Sequence, residues 1–159
     1  MSPLHRRYLL LEQGIGAGVF NFVLNAAIAW ALFRQMETVP LWGQQSIAGD
    51  TIGTAFMLPL MTTLIASRIV RGHVRKGRVP AWVSGASRWD RLPRGLFLRG
   101  VVLGIVCLVV AGLPATGALG VAGIAEMSFG NFIVFKALFA AALAVVVTPI
   151  IARLALADT

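Results

Sequence analysis

Histidine and cysteine are almost missing from this chain: His5, His73 and Cys107 are the whole supply. A lone thiol inside an apolar run forms neither an intrachain disulfide nor a cysteine metal cluster. Both histidines fall outside the apolar runs, which excludes bis-histidine haem ligation within a membrane, and two ligands alone make a weak metal site. The sequence has no HExxH, Cys-x-x-Cys, phosphate-binding glycine loop or Gly-x-Ser-x-Gly. No cofactor and no metal are therefore expected, and an enzyme would have to work without the usual nucleophile, base or metal motifs.

Acidic residues are scarce as well, six against 14 basic ones, for a formal net charge of +8. In a soluble protein that imbalance would raise the question of nucleic acid. Here no stacking or groove-reading module accompanies it, and nucleic acid is set aside. Only Lys76 and Lys136 among the basic residues are lysines. The arginine bias, with the many alanines and glycines, points to a GC-rich bacterial genome.

What the chain has in abundance is apolar surface. Of its 159 residues 58% are hydrophobic and 13% charged, with a mean hydropathy of +0.83. A soluble domain of this size could not hide that much apolar surface, so lipid must cover it. The expected fold is all-α, a single domain over residues 1–159 forming an integral membrane four-helix bundle. Its spans are read at about residues 8–33, 47–70, 96–114 and 129–154, each long enough for a bilayer core of roughly 30 Å. The N-terminal run superficially resembles a signal peptide. It is too long and, with Glu12, Asn21 and Asn25, too polar for one, so a retained first span is expected.

Punctuation within the spans carries further expectations. Pro59 is expected to kink the second span, with Thr62 or Thr63 satisfying backbone groups that the proline frees. The third span is expected to end at Pro114, and the glycine-rich stretch 112–123 reads as a short re-entrant or interfacial turn. Trp30 and Trp42 bracket the far end of the first span, where amphipathic rings favour the headgroup level.

Orientation follows from where positive charge collects, because short loops retain it on the cytoplasmic side. Arg68, Arg71, Arg75, Lys76, Arg78, Arg88, Arg91, Arg94 and Arg99 fall between the second and third spans, and Arg6, Arg7 and Arg153 join the same side. The opposite loops hold only Arg34 with Glu37, and Glu126. Both termini and the basic loop 71–95 are thus expected to be cytoplasmic, in a bacterial inner membrane. Arg71, Arg75, Lys76, Arg78, Arg88, Arg91 and Arg94 form the expected contact surface for anionic phospholipid headgroups, with Trp82, Trp89, Leu92, Leu96 and Phe97 interleaved as in a segment lying flat at the interface.

Polar groups within the spans are the functional candidates, since each is costly in hydrocarbon. Gly14, Gly18, Asn21, Asn25 and Ala29 recur at spacings of four and three and make one stripe. That stripe reads either as a packing seam whose amides bond across a helix contact or as part of a polar cavity. Asp50 and Thr54 share a face of the second span, and Lys136 lies at a comparable depth in the fourth. Asn21, Asn25, Asp50, Thr54 and Lys136 form the expected intramembrane polar site near the outer half, with an Asp50–Lys136 ion pair at its centre. Glu12, Arg68 and Arg153 are the candidates for ion pairing at the inner rim. Three functions fit: an oligomeric channel or transporter-like protein, a non-catalytic subunit of a larger membrane complex, and a lipid-modifying enzyme with Asp50 as base. The expected partners are the bilayer, further copies of the chain or other membrane subunits.

Overall fold

A computed structural model of the protein describes residues 7–78 and 95–158. Arg88, Arg91 and Arg94, and with them most of the basic loop, lie outside these residues. Among the described residues there are four helices long and apolar enough to cross a membrane: α1 (Tyr8–Phe33), α2 (Ile47–Arg75), α3 (Leu96–Val121) and α4 (Phe129–Ala157). At 1.5 Å per residue, helices of 26 and 29 residues run about 39 and 44 Å, more than the roughly 30 Å of a bilayer core. Their flanks carry large exposed apolar side chains, among them Val19, Phe20, Ile65, Val106, Val110 and Val146. Water cannot cover such surface cheaply. The four helices suggest a multi-pass membrane protein.

The helices alternate in direction. One end of the bundle carries a two-stranded antiparallel ladder between β1 (Thr38–Pro40) and β2 (Glu126–Ser128), with Val39 opposite Met127. This is the strand end. The other, where α1 starts and α4 finishes, is the terminal end. The ladder stitches the α1–α2 connection to the α3–α4 connection over a cluster of Ala29, Phe33, Val39, Leu41, Ile47 and Phe132. The Phe33 and Phe132 rings meet edge-on, 4.7 Å between centroids. Just beside it the Arg34 guanidinium lies 5.1 Å from the centre of the exposed Trp30 ring, a cation–π contact.

Both helices that start at this end are capped by serine. The Ser46 hydroxyl accepts from the Gly49 N–H (3.1 Å) and the Ser128 hydroxyl from the Asn131 N–H (3.4 Å), which satisfies donors that a helix start otherwise leaves unpaired.

α4 is the centre of the assembly: α1 and α2 both pack against it, and α3 packs against α2. The main core gathers Ala55 and Leu58 of α2, Leu103 and Cys107 of α3, and Ala140, Ala144 and Ile151 of α4. The glycine stripe of α1 faces α4. A Cβ on Gly18 would fall 2.5 Å from Val145 Cγ2, and one on Gly14 would touch Pro149. The α2–α3 seam is equally tight, for a Cβ on Gly104 would sit 2.8 Å from the Phe56 carbonyl oxygen. A side chain can rotate away but that backbone cannot. Gly104→Ala should therefore cost about 1–2 kcal/mol, the overpacking penalty less the alanine's better helix propensity. Gly53→Ala, whose new methyl would meet nothing within 4 Å, is the control and should be neutral or stabilising. Thermal unfolding of the two variants checks this, and an undiminished melting temperature for Gly104→Ala would refute the close approach.

Two local readings differ from expectation. α3 does not end at Pro114 but continues to Val121, so 112–121 is helix rather than a turn. The physical reason is a π-helical stretch, Leu108–Gly112: its wider turn draws the preceding carbonyls away from the proline ring. The buried Thr116 hydroxyl then donates to the carbonyls of Gly112 (3.1 Å) and Leu113 (3.0 Å). α2, as expected, runs on through Pro59, and the Thr63 hydroxyl donates to the carbonyl of Pro59 itself (2.7 Å). Lastly, the asparagine amides turn inward along their own helix. Asn21 donates to the Ala17 carbonyl (2.9 Å) and Asn25 to the Asn21 carbonyl (3.0 Å), rather than across a helix contact.

A polar groove between the first and second helices

α1 and α2 lean on opposite flanks of α4, and the space between them is a groove of about 640 Å³. Its walls are mostly apolar: Phe20 and Leu24 on α1, and Met57, Met61 and Ile65 on α2. Near the terminal end it is lined by Glu12, Gln13 and Ile69. There the Tyr8 hydroxyl and His73 Nδ1 lie 3.0 Å apart and join α1 to α2, with Gln13 Nε2 donating to the same hydroxyl (3.2 Å).

All five residues of the expected polar site, Asn21, Asn25, Asp50, Thr54 and Lys136, line this one groove. Lys136 Nζ donates to Asp50 Oδ1, an ion pair with the lysine only 4% and the aspartate 11% exposed. The reach follows from helix geometry. α2 and α4 run in the same direction from the strand end, and helical side chains tilt toward their own N-terminus. Asp50 is the fourth residue of α2 and Lys136 the eighth of α4. The longer lysine stem climbs back along α4 to the carboxylate. Asp50 also sits in the first turn of its helix, where a negative charge complements the macrodipole.

Much of the polar capacity in the groove is unspent. Asp50 Oδ2 is buried without a hydrogen-bond partner, and so is Thr148 Oγ1, which lines the groove on the α4 side. Lys136 has three donors, one of which goes to Asp50. Each asparagine spends one amide hydrogen on its own helix, leaving its side-chain oxygen available. From Asp50 and Lys136 through Asn25, Asn21 and Thr54 to Thr148, Gln13 and Glu12, hydrogen-bonding groups follow one another down an otherwise oily channel.

The other expected sites are more dispersed. Glu12, Arg68 and Arg153 are all exposed. At the terminal end Asp158, not among the residues expected from the sequence, gathers two arginines. Arg99, 3% exposed, donates from Nη1 to Asp158 Oδ2 (2.6 Å) and from Nη2 to Oδ1 (3.2 Å), and the Arg71 guanidinium adds a third bond at 3.1 Å. Arg71 thus joins α2 to the end of α4, while Arg75, Lys76 and Arg78 at the end of α2 are exposed. A signal was available, since an arginine just inside an apolar run and a solitary acid ending another are each costly alone. Among the described residues no three His, Cys, Asp or Glu side chains gather in one place.

Compared with protein-family models, curated proteins and solved structures, the chain matches none.

Proposed function

We propose that this is a transporter-like protein of a bacterial inner membrane, with both termini and the basic loop in the cytoplasm, and that the α1–α2 groove is its substrate path. The single observation that carries the reading is the gathering of Asn21, Asn25, Asp50, Thr54 and Lys136 along one groove, around a buried ion pair with unspent hydrogen-bonding atoms. Polar groups within a membrane are expensive to hold. A purely structural bundle has no need to string them along an open flank. The orientation rests on the positive charge of the terminal end, where Arg75, Lys76 and Arg78 are exposed and suit anionic lipid headgroups. The groove is open on its lipid side, so its cover is lipid, a second copy or another membrane subunit.

The test is flux from reconstituted vesicles, with potassium, protons and glycerol as probes. Asp50→Asn keeps an acceptor for Lys136 while removing the charge. It should lower the flux of whichever probe moves at least tenfold, with unchanged elution in size-exclusion chromatography. Unaltered flux would take Asp50 out of the path. Recovery in fixed ratio with a different protein after mild detergent extraction would favour the subunit reading instead.

A further inference from the structure

The ion pair at the strand end of the groove is half-satisfied in a chemically selective way. Asp50 Oδ2 is a buried acceptor with no donor. Beside it Lys136 has donors beyond the one that Asp50 Oδ1 takes. A group that fits both must donate to the carboxylate and accept from the ammonium at once, which a hydroxyl does. A phosphate or carboxylate would bring a second negative charge against Asp50, and an amine a second cation against Lys136. Either would be taken out of water with no countercharge left for it. The site therefore disfavours a head of one charge sign, and a hydroxyl is the smallest group that meets both of its atoms.

What lies below the pair sets the rest of the ligand. Asp50 is three residues into α2, about 5 Å from the helix start at 1.5 Å per residue. Thr54 stands one turn further along the same face. Beyond it the walls are mostly hydrocarbon, Phe20 and Leu24 on one side and Met57, Met61 and Ile65 on the other, with Asn21, Thr62 and Thr148 set among them. Phe20, Met57, Met61 and Ile65 are all exposed large apolar side chains. From Asp50 to Met61 is 11 residues, about 16 Å of groove, long enough to lay out a hydrocarbon chain.

We infer that the groove binds a long-chain lipid with a small uncharged hydroxyl head, its hydroxyl between Asp50 and Lys136 and its chain along the α1–α2 walls. This rests on the reading of the groove as a binding site and names its substrate class; the measurement below reads occupancy and does not depend on flux.

Gly53 provides a clean obstruction. It lines the groove beside Asp50, and a Cβ there would meet nothing within 4 Å, so Gly53→Leu places a side chain in the groove without pressing on the protein. The experiment uses the full chain in phosphatidylcholine nanodiscs with a long-chain alcohol carrying a diazirine in its tail, and crosslinks are mapped by mass spectrometry. Labelling should concentrate on Phe20, Leu24, Met57 and Met61. Unlabelled diacylglycerol should compete it away, and phosphatidic acid at the same mole fraction should not. Gly53→Leu should cut it at least tenfold with no fall in melting temperature. Replacing both Asp50 and Lys136 with Leu should abolish the preference for alcohol over acid. The inference is overturned if labelling is as strong on the Val106 and Val110 face of α3, if phosphatidic acid competes equally, or if Gly53→Leu leaves labelling intact. Groove labelling without flux of any aqueous probe would sustain the lipid site and remove the aqueous path, whereas flux without groove labelling would do the reverse.

Discussion

Lys136→Met should destabilise the protein by about 3–5 kcal/mol, the loss seen when one partner of a buried ion pair is removed and the other charge stays behind. The lysine is 4% exposed and its Nζ is bonded to Asp50. Methionine fills most of the stem's volume, so packing changes little and the penalty falls on the stranded carboxylate. Two features pull the figure toward the lower bound. Asp50 lies in the first turn of α2, where the helix macrodipole contributes about 0.3–1 kcal/mol in its favour, and it is close to the end of the span. Replacing both residues with Leu should recover most of the loss, because a buried pair exchanged for apolar groups of similar size is often neutral. Exchanging the charges, Asp50→Lys with Lys136→Asp, should recover only part. It puts an ammonium at a helix N-terminus and asks a short aspartate stem to cover the distance the lysine now spans. Reversible unfolding in mixed detergent micelles measures these three variants together with Asp50→Leu and Lys136→Leu alone, and single effects that simply add in the double Leu variant would show that the pair is not coupled.

Why Asp50 and Lys136 were legible together, and Arg99 and Asp158 were not, has a physical answer. The first two stand inside long apolar runs that start from the same side, so parallel helices bring them to similar depth and few alternatives compete. Arg99 belongs to a dense run of arginines beside a third span, and there a positive charge reads as topology rather than as a partner. Its acid is 59 residues away at the far end of another helix. The ladder was equally hidden. Three residues on each side, 88 apart, leave no alternating pattern to detect, yet they tie the two loops of the strand end together. Proline normally stops a helix, so the sequence alone places the end of the third span at Pro114; the π-helical turn before it, a backbone feature without a residue signature, lets α3 continue. The asparagines illustrate the same limit: spacing put Asn21 and Asn25 on one face, but an amide that can reach its own i−4 carbonyl satisfies itself locally before it looks across a contact.

Asp158→Ala should cost about 2–3 kcal/mol, in line with hydrogen bonds to a charged group that is largely withdrawn from water. Arg99 is the fourth residue of α3 and Asp158 follows the last residue of α4. Each stands at the end of a helix whose dipole opposes its charge, a cation at an N-terminus and an anion at a C-terminus. Either alone is unfavourable. Side by side, they neutralise each other and bring the positive end of α3 to the negative end of α4, so the pair fastens two helices that otherwise touch mainly through α2. Asp158 is about one-fifth exposed, which keeps the expected loss below that for Lys136. Arg71, one-third exposed, should matter far less, under about 1 kcal/mol for Arg71→Met. Arg99→Met with Asp158→Ala should be more stable than Asp158→Ala alone, since the double removes both charges from ends that disfavour them. A thermal-unfolding cycle over these variants should give a coupling of at least about 1.5 kcal/mol for Arg99 with Asp158, against a few tenths for Arg71. Equal couplings would mean that the carboxylate serves the surface arginine as much as the buried one, and that the charge at this end fastens nothing.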